Sequence, residues 1–443
     1  MQAILLLTLL GLMHATRTFS PAPLAGSVPA SVVMAGGFLL LTALFAGNLA
    51  KGIHMPRLTG YLMLGVLVGP QVLGLVTEGM LGQLRIFNGV AIALIALTAG
   101  AELDLKTMRP LFRGIAWITL VGVVGTGLLL SVTAFLMRGW LSFMGGMETG
   151  TALAVAAMLG TTAAAQSPAV VVALRKELNA DGPVSRTVLG VVIVSDLVVI
   201  LFFAFTSSIA RGLLSPSGQQ AAGLGTLVWE VAGSMVLGVL IGVLVAAFLR
   251  SLSEGGALFV VMVGFLTAEV GQRVHLDPLL LALAAGVFIR NATSYGDRLH
   301  HEIESASLPV YISFFAVAGA SIHLDALAIV GLPAVTLVVV RGLGFLGGAR
   351  LGARIAGSEE AVRRYAGFGL LPQAGLALAL ASLFTRSFPQ LGDQSAALVF
   401  GVVALNEMFA PILYRMALVR SGEAEKLAET PAPPEALPQA ETV

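Results

Sequence analysis

Apolar runs of about twenty residues recur along almost the whole chain, separated by short polar connectors. A bilayer core offers no water, so each run must satisfy its own backbone as a helix or join a closed barrel. Barrel strands would be about ten residues long and would alternate apolar with polar side chains. These runs are longer and apolar on every side, which selects helices. Composition agrees: Asp, Glu, Lys and Arg make up 11% of the residues and the mean hydropathy is +0.93, against about 25% charged residues in soluble domains. The expected fold is an all-α polytopic membrane protein, and the lipid bilayer is its first partner.

The runs fall near 29–50, 58–76, 86–103, 113–137, 150–173, 186–209, 225–249, 256–272, 278–290, 308–323, 331–349, 363–385 and 395–418, which predicts about thirteen transmembrane helices. They make residues 29–420 the transmembrane domain. Residues 1–28 read as a signal peptide or a short N-terminal helix: the apolar stretch is brief, lacks a basic start, and is followed by Pro21 and Pro23. Residues 421–443 are rich in Pro, Ala and Glu and are expected to form a disordered tail. The connectors after odd-numbered spans hold eighteen Lys and Arg, and those after even-numbered spans hold five. Positive charge stays inside, so the C-terminus is expected in the cytoplasm.

Several classes of function are argued against. There is no cysteine, hence no disulfide or thiolate chemistry, and the six histidines have no metal-ligand spacing. No basic cluster carries interleaved aromatics, so no nucleic-acid partner is expected. No Ser/His, Asp/Asp or metal-ligand set lies within the spans, which disfavours a membrane enzyme and any bound cofactor.

The two halves resemble each other. Ala99-Gly-Ala101 in the third span matches Ala318-Gly-Ala320 in the tenth, and Ile118-Thr-Leu-Val121 in the fourth matches Val335-Thr-Leu-Val338 in the eleventh. Gly190-Val-Val-Ile-Val-Ser-Asp196 in the sixth pairs with Gly401-Val-Val-Ala-Leu-Asn-Glu407 in the thirteenth. Each pair is seven spans apart. Seven is odd, so equivalent helices cross in opposite directions, as two inverted six-helix repeats joined by a connector. Such repeats favour alternating access, with the site near the midplane on interrupted helices. The interrupted pair is expected at Met158-Leu-Gly-Thr-Thr-Ala-Ala-Ala-Gln-Ser-Pro168 and at Gly369-Leu-Leu-Pro-Gln-Ala-Gly375, where Pro and Gly loosen the fifth and twelfth spans.

Asp196 stands out within these repeats. It is the one charge in the run Val188–Ala204. An intramembrane carboxylate is costly and by default marks an ion or proton path.

Three segments carry a family resemblance: Met55-Pro-Arg-Leu-Thr-Gly-Tyr-Leu-Met-Leu-Gly-Val-Leu-Val-Gly-Pro-Gln-Val-Leu-Gly74, Ala96-Leu-Thr-Ala-Gly-Ala-Glu-Leu-Asp104 and Gln166-Ser-Pro-Ala-Val-Val171. They are similar to the monovalent cation:proton antiporter family, second branch, which contains bacterial sodium–proton and potassium–proton exchangers. The resemblance spans roughly residues 29–420. It implies a sodium/proton antiporter-like fold with discontinuous crossing helices, a homodimer in the bacterial inner membrane, and a core subdomain that moves against a dimerisation subdomain. It also implies an Asp on the sixth helix of thirteen that binds cation or proton, and Asp196 matches it. Ser195 stands where many members carry an acid or Asn, and Gln166 where members often carry Thr. Arg341 matches a basic position of the eleventh helix. The nucleotide-binding domain appended to many potassium-efflux members is absent from this sequence.

The chemistry expected at Asp196 is a carboxylate that holds either a proton or a monovalent cation, coupling the two fluxes at one metal-binding group. Oxygen ligands for a dehydrated cation are expected from Ser195, Gln166, Ser167, Thr161 or Thr162 and from unwound carbonyls. Arg341 is expected to compensate a carboxylate or helix C-terminal ends, with Glu407 as its expected partner. An ion channel or a solute symporter on a related inverted-repeat fold remains the alternative.

Overall fold

The computed structural model describes residues 2–18, 28–53, 55–214, 224–251, 256–274, 276, 278–322, 324–373 and 375–426, and the regular structure among them is all helical. In chain order the helices are α1 (Gln2–Thr18), α2 (Val28–Gly52), α3 (Arg57–Val68), α4 (Glu78–Glu102), α5 (Leu105–Met108), α6 (Phe112–Trp117), α7 (Gly125–Leu136), α8 (Thr149–Ala164) and α9 (Pro168–Glu177). They continue as α10 (Pro183–Leu214), α11 (Leu224–Ser251), α12 (Gly256–Arg273), α13 (Pro278–Ala292), α14 (Gly296–Ala320), α15 (Leu324–Ile355), α16 (Glu360–Gly369), α17 (Gly375–Ser387) and α18 (Gly392–Arg420). Elements α5 to α7 run on, through 3-10 and π-helical turns, as one stretch Leu105–Trp140.

Every span read from the sequence falls on one of these helices or on a broken pair. By length and apolarity alone, six helices among the described residues could cross a membrane, or eight if each of two bent pairs counts once. The expected thirteen is not reached on that criterion, because some spans are short. Helix α3 has 12 residues and α13 has 15, and at about 1.5 Å per residue neither covers a hydrocarbon core of about 30 Å. The second span, read as continuing to 76, stops as a helix at Val68, where Gly69 caps it and Pro70 cannot continue it.

Both ends of the chain refine the reading. Helix α1 packs on α2, while Pro21 and Pro23 lie outside the described residues. The tail expected from 421 is corrected. Glu423 is 2% exposed and accepts hydrogen bonds from the backbone N–H of Val184 at 2.6 Å and of Ser185 at 2.8 Å. It thus supplies acceptors that the first turn of α10 lacks. Residues 421–426 belong to the folded part, and 427–443 lie outside the described residues.

The helices pack as two sets. One holds α2, α3, α4, α12, α13 and α14, with α11 against α13; the other holds α6 to α10 and α15 to α18. They meet where α4 and α3 face α9, and where α3 faces α18. Arg175 of α9 helps tie the sets by bonding Glu102 of α4 at 2.7 Å, and it also bonds Asp181 at 2.9 Å. Burial by itself would raise Asp181, but the Arg186 hydrogen bond and the Arg175 and Arg186 charges outweigh it and hold the carboxyl below its ordinary value.

The inverted repeat is visible in the packing. Helix α4 bends by 44° between Glu78–Leu84 and Gly89–Glu102, and α14 bends by 58° between Gly296–Ile303 and Leu308–Ala320. These are the third and tenth spans. Each packs on a partner through backbone contact at glycine. A Cβ at Gly286 of α13 would lie 2.4 Å from the Leu97 carbonyl of α4, and one at Gly65 of α3 would lie 2.1 Å from the Ala316 carbonyl of α14. The partners, α3 and α13, are the second and ninth spans, again seven apart.

Gly286→Ala and Gly65→Ala are each expected to cost about 1–3 kcal/mol by forcing these helices apart. Gly347→Ala, where a Cβ meets nothing within 4 Å, is the control and should be neutral or stabilising in thermal melting of detergent-purified protein. The depressed Asp181 carboxyl contributes stability at neutral pH that is lost as pH falls through its folded value. Asp181→Asn should lower the melting temperature at neutral pH and flatten its acid dependence.

Candidate ion-binding site

Two interrupted helices organise the site, at the places the repeat predicts. Helix α8 stops at Ala164, Ala165 is extended, and α9 restarts at Pro168. The residue before a proline is pushed out of the helical region, and Pro suits a first helical position. Ser167 accordingly has φ −131°, and its hydroxyl accepts from the Val170 N–H at 3.2 Å as an N-cap. The second break lies between Gly369 of α16 and Gly375 of α17, around Leu370-Leu-Pro-Gln373.

Each break leaves helix-end carbonyls without donors inside the protein. Arg341 of α15, 0% exposed, serves both. Its Nε donates to Ala163 O at 2.7 Å, Nη2 to Ala165 O at 2.9 Å, and Nη1 to Leu371 O at 2.6 Å; Nη2 also approaches Leu370 O at 3.4 Å. Its Cζ lies 4.6 Å from the centre of the Phe345 ring. Helix C-termini carry partial negative charge, so a fixed cation complements both ends at once. Gln373 adds Nε2 to Ala163 O at 3.0 Å and to Ala165 O at 3.2 Å.

This corrects the expected pairing of Arg341 with Glu407. Asn406 faces the cluster, donating to Gln373 Oε1 at 2.9 Å. Successive residues of a helix point about 100° apart, so Glu407 turns away. Glu407 is 2% exposed, and neither of its carboxylate oxygens has a hydrogen-bond partner among the described residues.

Asp196, 1% exposed on α10, lines a small cavity where the two sets meet. Its own set also supplies Ser167, Pro168 and Ile193, and the other set supplies Ile95, Ala96, Leu283 and Phe314. The cavity measures about 20 Å³, close to the least that admits one water. Next to Asp196, Ser195 turns toward the break, where its Oγ lies 2.6 Å from Gln166 Oε1 and 2.9 Å from Val192 O. One hydroxyl proton cannot serve two acceptors, and Gln166 Nε2 is buried without a partner among the described residues. Exchanging the two amide atoms of Gln166 resolves both problems. Nε2 then donates to Ser195, Ser195 donates to Val192 O, and Oε1 becomes an available acceptor.

The structure thus brings together Asp196, Ser195, Gln166 and Ser167, with Arg341 behind the breaks. It does not bring in the two threonines. Thr161 and Thr162 donate to Ala157 O at 2.8 Å and Met158 O at 2.9 Å within their own helix. Thr161 lines a different, apolar cavity with Val198 and Phe202. The sequence reading missed Gln373 and Asn406. Asn406 was already aligned with Ser195 in the repeat. Ser195 contacts the glutamine of the first break and Asn406 the glutamine of the second, so applying the repeat to partners would have found both.

Comparison with known proteins gives the family and the fold. The family described as sodium/hydrogen exchanger, transmembrane, matches residues 39–419. The chain belongs to the sodium/hydrogen exchanger family. Among relatives of this exchanger, the Na(+)/H(+)-K(+) antiporter GerN of Bacillus cereus is 25% identical over 381 residues, covering 84% of this chain and 92% of GerN. A Na(+)/H(+) antiporter of Enterococcus hirae is 24% identical over 384 residues, covering 85% and 95%. The sodium proton antiporter MjNhaP1 of Methanocaldococcus jannaschii shares the fold, with a TM-score of 0.63, 17% identity, and coverage of 90% of this chain and 98% of that one.

Arg341→Ala would leave the Leu371 and Leu370 carbonyls without their donor and Ala163 and Ala165 with Gln373 alone, at about 1–3 kcal/mol for each orphaned group. Against a total stability of about 5–15 kcal/mol, folded yield in detergent should collapse. Arg341→Lys should restore only part of it, because an ammonium lacks the planar fork that reaches both breaks. Glu407→Gln, which loses no hydrogen bond among the described residues, should melt close to wild type. Full rescue by lysine would refute the two-break role.

Proposed function

We propose that this exchanger is a secondary active antiporter of the bacterial inner membrane that exchanges sodium or potassium for protons by alternating access. One observation carries the reading: a buried carboxylate on α10 lies at the junction of two helix sets, beside a broken helix, in a chain of the exchanger family. A bare carboxylate in apolar surroundings is costly. Asp196 therefore crosses with either a proton or a cation, and surrendering one to take the other couples the fluxes. With one carboxylate exchanging one proton for one cation, transport is electroneutral.

Ser195, Ser167, the Oε1 of Gln166 and carbonyls of the α8–α9 break supply oxygens to a cation that has shed water. Thr161 and Thr162 join only if α8 rearranges. Arg341 stays fixed and keeps the breaks open. The walls from α4, α13 and α14 are apolar, so they bind neither ion and allow Asp196 to pass between faces as one set slides on the other. The same reading makes the protein a homodimer with its C-terminus in the cytoplasm.

In inverted vesicles holding a pH gradient, added sodium or potassium should dissipate the gradient. Asp196→Asn, at equal expression, should abolish that response. Exchange that persists in Asp196→Asn would sink the reading, and cation conductance without proton movement would favour a channel. In proteoliposomes, exchange that responds to membrane potential would exclude the one-for-one coupling.

A further inference from the structure

A second cavity, of about 320 Å³, opens where α2, α3 and α14 of one set face α9 of the other. This falls within the range of about 300–1,000 Å³ typical of small-ligand sites. Its lining is unlike that of the Asp196 cavity. Lys51 comes from the end of α2, Arg57 from the start of α3, and Lys176 from the last turn of α9. Among the described residues a single carboxylate, Glu177, faces them. It is already engaged: its two oxygens accept from the Arg57 backbone N–H at 2.8 and 3.1 Å. Arg415 of α18 adds another positive charge close enough to act on Glu177. The Nε of Arg57 is buried with no hydrogen-bond partner among the described residues. Leu58, Tyr61 and Leu308 form apolar and aromatic walls.

The positive excess is the wrong sign for a cation vestibule and the right sign for an anion. The apolar walls suit a ligand with a hydrocarbon part. Loop charge puts this end of the helices at the cytoplasmic face, where basic pockets between membrane helices receive anionic headgroups. We propose that this cavity binds the phosphate of an anionic phospholipid headgroup. Arg57 and Lys51 hold it from one helix set and Lys176 from the other. The bound lipid bridges the two sets at their basic end, beside the Arg175–Glu102 ion pair, and slows their relative movement. The effect on movement rests on the antiporter reading; the binding does not.

The test is thermal melting of the detergent-purified full chain, titrated with phosphatidylglycerol, with phosphatidylcholine, and with inorganic phosphate. Phosphatidylglycerol should raise the wild-type midpoint and phosphatidylcholine should not. In the double variant Arg57→Gln, Lys176→Gln, the concentration for half the shift should rise about tenfold or more, as the loss of charge-assisted hydrogen bonds requires. Arg57→Lys, which keeps the charge, should retain most of the response and so exclude misfolding as the cause. Inorganic phosphate acting as strongly as the lipid would support the phosphate site and overturn the lipid as its occupant. Equal shifts from the two lipids, or an unchanged response in the double variant, would overturn the proposal. In proteoliposomes, phosphatidylglycerol should slow exchange by wild type but not by the double variant. Failure of this arm alone, with binding intact, would count against the bridging role.

Discussion

The grip of Arg341 on the ends of two broken helices is the interaction on which the rest of the structure depends. A helix that stops inside a membrane protein exposes carbonyls that neither lipid nor an apolar core can satisfy. Two such stops face each other here, and one guanidinium donates to carbonyls of both. Only Arg carries enough donors in a fixed plane, with a charge that does not neutralise, to do this. Once the breaks are stabilised, Gln166 and Ser167 are no longer consumed by a continuous helix. They can stand beside Asp196 as polar groups in an otherwise apolar interior.

The position of Asp196 between the two helix sets determines what such a carboxylate can do. The glycine contacts of α4 with α13 and of α3 with α14 bring backbones together at distances a side chain would forbid. They make one set a close-packed wall. The other set contains the breaks, Arg341, Gln373 and Asn406. Polar groups therefore sit on one side of the junction and smooth apolar groups on the other. Under the proposed alternating access, a junction of that kind slides without breaking hydrogen bonds at each step. The exceptions lie at the basic end, where Arg175 reaches Glu102 across the junction and a cationic cavity opens beside it. Under that proposal, control over sliding is best placed there, away from Asp196.

Much of this was legible in the chain. The helical class followed from the apolar runs, both breaks from Gln166-Ser-Pro168 and Leu371-Pro-Gln373, and the candidate site from one Asp in an uncharged run. The repeat, inferred from three short matches, reappears as paired bends, paired breaks and paired glycine contacts. Other expectations depended on facing direction, which a linear sequence does not carry. Glu407, the repeat counterpart of Asp196, was the expected partner of Arg341, yet its neighbour Asn406 faces the cluster. Thr161 and Thr162 were near the break in sequence, but their hydroxyls bond within α8. Glu423 looked like part of a loose tail and instead caps α10.

The division has a physical basis. Sequence by itself determined where the chain is helical, where it cannot be, and which residues are too polar for their surroundings, because these are properties of a residue and its near neighbours. Lipid sharpens such signals, since it leaves the backbone so few alternatives. Only the tertiary structure decided which buried groups meet. Helical residues one apart point about 100° apart, and which direction finds a partner depends on helices distant in sequence. That is why Asp196 could be named from the chain alone, while the partners of Arg341, and the cationic cavity assembled from α2, α3 and α9, required the fold.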